Sequence, residues 1–225
     1  MKIEPKLNSA QKAFEAWRNI TFSDKQKMLL YLAEHIEKNV NKLAKNITKE
    51  MNKPISESIA EVEKCVLMIR YYANAENILK TEKIKTEFRV SEIQFVPKGV
   101  ILGVMPWNFP FWQALRFAVP AILAGNTVVL KHASICFESG NLIEKLFLKA
   151  GFPKGIFQNL EIGHAEVKTV LENPIVRGVS LTGSEKAGAE VASIAGKKIK
   201  KSLLELGGSD AFIILDDADF KKAAK

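Results

Sequence analysis

Two short stretches of this 225-residue chain carry residue types suited to carbonyl chemistry. In Pro106-Trp107-Asn108-Phe109-Pro110, an amide stands at the entrance of a predicted helix. In Glu205-Leu206-Gly207-Gly208, a carboxylate ends a predicted strand just before two glycines. An amide N–H aimed at an oxygen that gains charge in the transition state is worth about 10²–10³-fold in rate. A carboxylate can take a proton from an attacking water. Together they would serve as two parts of an acyl-transfer site. Each also has a plain reading: Asn108 as the N-cap of the helix that follows, and Glu205 as a solvated strand end.

Helical spacing extends the first motif. Phe109, Gln113 and Arg116 stand at i, i+4 and i+7 and share one face, with Trp112 beside it. If Asn108 marks the reacting carbonyl, this face lines the path to it. Arg116 lies on an otherwise apolar helix, where burial without an anion is costly. Two explanations stay open: a structural salt bridge, or a fork that clamps a substrate carboxylate. Further on, Thr182-Gly183-Ser184 follows a predicted strand and opens a helix, a place that favours phosphate. The run Gly183 to Gly188 is not G-x-G-x-x-G, so spacing alone allows an ordinary strand-to-helix turn. Lys131 ends another strand, with Ser134 three residues on. By itself such a lysine reads equally well as a solvated end.

At these motifs the chain resembles the NAD(P)-dependent aldehyde dehydrogenases, from roughly residue 5 onward, and is most similar to their succinate-semialdehyde branch at Asn108-Phe109-Pro110-Phe111-Trp112-Gln113 and Leu130-Lys131-His132-Ala133-Ser134. The resemblance implies oxidation of an aldehyde, with succinate semialdehyde expected, to the acid through a cysteine thiohemiacetal and a thioester. It gives Asn108 the oxyanion, Glu205 the hydrolytic water, and Phe109, Gln113 and Arg116 the substrate. It gives Trp107, Lys131, Ser134, Gly183, Ser184, Leu206 and Gly207 the cofactor, NADP or NAD. Family members often carry Glu where Ser134 stands; its loss removes repulsion against a 2′-phosphate that Lys131 attracts. The nucleophilic cysteine is implied to lie beyond Glu205, outside these 225 residues, so the chain by itself is expected to be inactive. A non-catalytic dinucleotide-binding module and an inactive remnant are the alternatives.

The elements that must hold these residues follow from periodicity. Residues 1–82 read as amphipathic helices without chemistry. Ser23-Asp24-Lys25-Gln26 reads as a capping box, ahead of a stripe at Met28, Leu32, Ile36, Val40, Leu43 and Ile47. Pro54 suits the first turn of another helix, with a stripe at Ile59, Val62, Val66, Ile69 and Ala73. Residues 83–98 have strand-like content without helical period: an edge strand of the domain, or the hairpin that the resemblance assigns to pairing with another subunit. From 99 to 225 strands and helices alternate, with strands expected at 100–105, 127–131, 156–160, 176–181, 202–206 and 212–215. Such alternation predicts an α/β fold, a Rossmann-like parallel sheet with helices on both faces and ligands at the carboxyl ends of its strands.

Composition excludes more than it assigns. With 47% apolar and 26% charged residues the chain is ordinary for a globular protein. No run approaches the roughly 20 apolar residues of a membrane span, and no signal peptide opens the chain, so a cytoplasmic protein without membrane partners is expected. Cys65, Cys136 and the scattered His35, His132 and His164 give no metal spacing. The net charge of +8 has its densest group at Lys197-Lys198-Ile199-Lys200-Lys201. No aromatic residues interleave with it, so it reads as a solvated edge rather than a nucleic-acid surface. A small-molecule aldehyde and a homo-oligomer are the expected partners.

Overall fold

The computed structural model describes residues 3–76 and 78–224. Four helices come first: α1 (Ile3–Trp17), α2 (Phe22–Glu37), α3 (Val40–Met51) and α4 (Ile55–Asn74). The cap of α2 lies two residues before the expected box. Thr21 accepts the amide of Asp24 at 3.1 Å and its hydroxyl meets the Asp24 carboxylate at 2.7 Å. That hydroxyl, then Lys27, holds the Asp24 carboxyl below its usual range. The apolar stripe predicted as one run is also broken. Asn39 turns its side chain back onto the His35 carbonyl at 2.7 Å, and α3 starts afresh at Val40. An amide that competes for backbone groups in this way favours helix ends over interiors. Pro54 is the N-cap of α4 rather than a residue of its first turn.

A two-stranded ribbon follows, β1 (Glu82–Lys83) antiparallel to β2 (Glu92–Ile93). Among the described residues it pairs with no other strand, so the segment is a hairpin rather than an edge of the main sheet. Phe88, Val90, Phe95 and Val96 project from it into solvent.

The remaining strands, β3 (Val100–Met105), β4 (Thr127–His132), β5 (Phe157–Asn159), β6 (Val176–Thr182) and β7 (Lys201–Glu205), form one parallel sheet in the order β5-β4-β3-β6-β7. The crossovers are α5 (Pro110–Leu123), α6 (Phe137–Lys149), α7 (His164–Glu172) and α8 (Glu185–Lys197). One core joins α2, α3 and α4 to α5 and α6, and a second joins α1, α7 and α8 to the sheet. The strand expected at 212–215 does not form. Phe212 and Ile213 are each 77% exposed, and a strand with no partner for its backbone groups has little to hold it. No helix among the described residues is long and apolar enough to cross a membrane.

Where β4 meets α5, His132 is fully buried. Its Nδ1 accepts the Ala133 amide at 2.9 Å, so Nε2 carries the proton and donates to the Pro110 carbonyl at 2.9 Å. Burial pushes its pKa down to about 4. The folded state therefore resists a proton that the unfolded chain accepts near pH 6.5. This contribution to stability is complete above pH 6.5 and is lost as pH falls toward 4. We expect a loss of about 3 kcal/mol across that window, read from urea midpoints, and a flatter profile in His132→Gln. Parallel profiles for the two proteins would remove His132 as the cause.

Candidate active site

Every candidate segment leaves the carboxyl end of a strand. Pro106 to Asn108 follow β3, Ala133 and Ser134 follow β4, Gly183 and Ser184 follow β6, and Leu206 and Gly207 follow β7. Between β3 and β6 the order of connection reverses, and the sheet opens a crevice there. A cleft of about 590 Å³ occupies it, lined by Trp107, Lys131, Ser134, Gly183 and Ser184 together with His164, Lys168 and Glu190.

Lys131 is not a solvated strand end. It is 1% exposed, because β4 runs one residue further than predicted and carries it inside. No acidic residue pairs with it among the described residues, and burial lowers the pKa of its ammonium. Ser134 is exposed at the cleft in a single 3-10 turn, Ser134–Cys136. Ser184 caps α8 through its hydroxyl, which accepts the Ala187 amide at 3.3 Å. The Gly183 amide is already taken by the Glu205 carbonyl at 3.0 Å. The amides left to face an anion at this end include those of Glu185 and Lys186. Leu206 lies outside the cleft and packs on α8: a Cβ on Gly188 would come within 2.5 Å of it. Gly207 is exposed in open space.

A second groove, about 470 Å³, lies between α5 and strands β6 and β7. Arg116 reaches across it to Glu205, Nη2 to Oε2 at 3.4 Å. The salt bridge left open by the sequence is thus present, and its partner is itself a candidate residue. Gln113 shares the helix, with its Oε1 buried and without a donor. Phe109 and Trp112 each lie under an ammonium, Lys53 at 4.5 Å and Lys64 at 4.1 Å from the ring centroids.

Asn108 is exposed and lines neither cavity, so the amide and Glu205 are not brought into one cavity. It is also not the N-cap of α5. That helix begins at Pro110 and is capped from another element: Glu61 of α4 accepts the Phe111 amide at 2.8 Å and the Trp112 amide at 3.0 Å. The other oxygen of Glu61 meets Lys53 at 2.5 Å. The Asn108 amide is left without a structural bond among the described residues. Sequence reasoning missed Glu61, although a signal was there. It sits within the buried stripe Ser58, Val62, Cys65 and Ile69, where a carboxylate needs a partner.

Both thiols are buried. Burial, with Glu50 and Glu61 nearby, pushes Cys136 up to about 12, and burial raises Cys65 as well. No group of His, Cys, Asp and Glu that could hold a metal occurs among the described residues.

A family model described as the aldehyde dehydrogenase family matches residues 1–225. The chain belongs to the aldehyde dehydrogenase family. A Synechocystis protein named "Probable succinate-semialdehyde dehydrogenase (NADP+)" is 45% identical over 226 residues, 100% of this chain and 50% of that protein. The succinate-semialdehyde dehydrogenase (NADP+) of Deinococcus radiodurans is 38% identical over 225 residues, 100% of this chain and 47% of that one. The crystal structure of succinic semialdehyde dehydrogenase from Streptococcus pyogenes in complex with NADP+ matches with TM-score 0.93 at 40% identity, over 98% of this chain and 49% of that chain. This aldehyde dehydrogenase chain spans about half the length of the curated relatives it matches.

Removing Glu61 strands Lys53 and two helix amides together. We expect Glu61→Ala to destabilise the fold by about 3 kcal/mol, with faster exchange at the Phe111 and Trp112 amides. Glu61→Gln, which keeps one acceptor, should cost less. Equal stability of Glu61→Ala and the parent chain would show that α5 is held in some other way.

Proposed function

We propose that this chain is the cofactor-binding part of an enzyme that oxidises a carboxylate-bearing aldehyde, of the succinate semialdehyde type, with NADP or NAD. The observation that carries the reading is the crevice between β3 and β6, where Trp107, Lys131, Ser134, Gly183 and Ser184 line one cleft. The residues fit a dinucleotide phosphate. Lys131 is a buried cation without an acidic partner among the described residues, and the first turn of α8 directs amides toward the same space. Lys131 and Ser134 would face the adenosine ribose, with no carboxylate at 134 to repel a 2′-phosphate. Gly183 and Ser184 would approach the pyrophosphate. When bound, the dinucleotide supplies the hydride acceptor.

The chemistry of the chain's own residues follows. Asn108 Nδ2 donates to the carbonyl oxygen as it gains charge, which its freedom from capping permits. Glu205 takes the proton of the water that releases the acyl group, and Arg116 holds the remote carboxylate. The nucleophilic thiol comes from the part of the relatives' length that this chain does not span. The exposed apolar side chains of the β1–β2 hairpin support its pairing with a second copy.

Trp107 in the cleft gives a fluorescence signal for titration. We expect the chain to bind NADP at least as tightly as NAD. Loss of a hydrogen bond to a charged group in Lys131→Ala should weaken NADP by about tenfold. Ser134→Glu should weaken NADP by a similar factor while sparing NAD. Saturation by NAD with no response to NADP would overturn the assignment of Lys131 and Ser134.

A further inference from the structure

The ion pair between Arg116 and Glu205 joins the middle of α5 to the last residue of β7. In the reading above these residues have separate tasks, one holding a substrate carboxylate and the other activating water. A guanidinium that already faces a carboxylate is not free for another, and a base in an ion pair is not free for water. We propose that the pair is a resting lock opened by the substrate: the incoming carboxylate takes Arg116, and Glu205 is released to act as base. The proposal rests on the clamp and base roles given under Proposed function.

Three observations carry it. Glu205 is the acidic partner of Arg116 among the described residues, so one competitor decides whether Arg116 is free. The two side chains are 38% and 49% exposed and meet at 3.4 Å through a single pair of atoms. A pair of that kind favours the closed state by only about two- to fivefold. A free carboxylate that can engage both guanidinium nitrogens competes with it on good terms. The groove beside the pair is apolar, with Ile101, Phe117, Val179 and Leu203 able to receive a short methylene chain, while Lys98 and Lys201 add positive charge.

Opening the lock demands little of the fold. Thr182 and Glu205 are partners in the ladder between β6 and β7, and the Glu205 carbonyl holds the Gly183 amide at 3.0 Å. The backbone stays in place and only the side chain swings, a rotamer change of the kind exposed residues make in nanoseconds. A neutral aldehyde leaves Glu205 paired. Discrimination for acid semialdehydes then acts twice, once in binding and once in freeing the base.

The test is titration of the chain with succinate, followed by calorimetry or amide chemical shifts, with neutral succinamide as control. Glu205→Gln should bind succinate about two- to fivefold more tightly than the parent, and Glu205→Ala should shift it the same way. Arg116→Ala should lose succinate binding with either residue at 205. Glu172→Gln makes the same change in net charge elsewhere and should leave the affinity as it is. If Glu205→Gln binds no better while Arg116→Ala still abolishes binding, the lock is overturned and the clamp stands. If Arg116→Ala binds succinate like the parent, the clamp reading fails as well. Absence of succinate binding to every variant overturns both, and tighter binding by Glu172→Gln would reduce the effect to net charge.

Discussion

The parallel pairing of β3 with β6 is the constraint on which the site depends. From β3 the chain builds outward through β4 to β5, then crosses back to lay β6 on the other side of β3. All five strands keep one direction, so segments far apart in sequence end at the same edge of the sheet. At the reversal the crossover that leaves β3, α5, leads to one side of the sheet and the crossover that leaves β6, α8, leads to the other. The crevice follows from connectivity, before any particular side chain is considered.

Several buried polar groups near that edge are satisfied from a distant element. Glu61 on α4 caps α5, and Glu50 on α3 accepts the Ser139 amide of α6 at 3.1 Å. His132 joins the end of β4 to the start of α5. The N-terminal helices, which read as packing elements alone, thus fix where the crossover helices begin. A buried carboxylate, once its partners are lost, is among the costly defects a fold can carry. The start of α5 is accordingly set by α4 rather than by its own cap, and Asn108 is spared that duty. Lys131 differs from these residues: it is buried at the cleft wall, and no acidic residue pairs with it among the described residues.

The Arg116–Glu205 pair belongs to the opposite regime. It is half-exposed and long, and it spans a groove rather than a core. Water screens such pairs, so their geometry is easily exchanged for another. Around the same strand ends the protein thus has stiff buried anchors that place backbone and a soft surface contact that can be redistributed. Chemistry that needs a carboxylate to change partners suits the second kind.

What the sequence determined by itself was local. Apolar periodicity and turn residues set the alternation of strands and helices from Val100 to Glu205, the parallel sheet, and the motifs at Asn108, Gly183 and Glu205, because these depend on side chains a few positions apart. It misjudged the cap of α2, the break at Asn39 and the strand at 212–215, where one alternative hydrogen bond or a missing partner decides between states of similar energy. Tertiary structure alone decided that Lys131 is buried, that Arg116 faces Glu205, and that Glu61 rather than Asn108 caps α5. Each of these depends on which distant element comes within hydrogen-bonding range, and spacing along the chain holds no record of that.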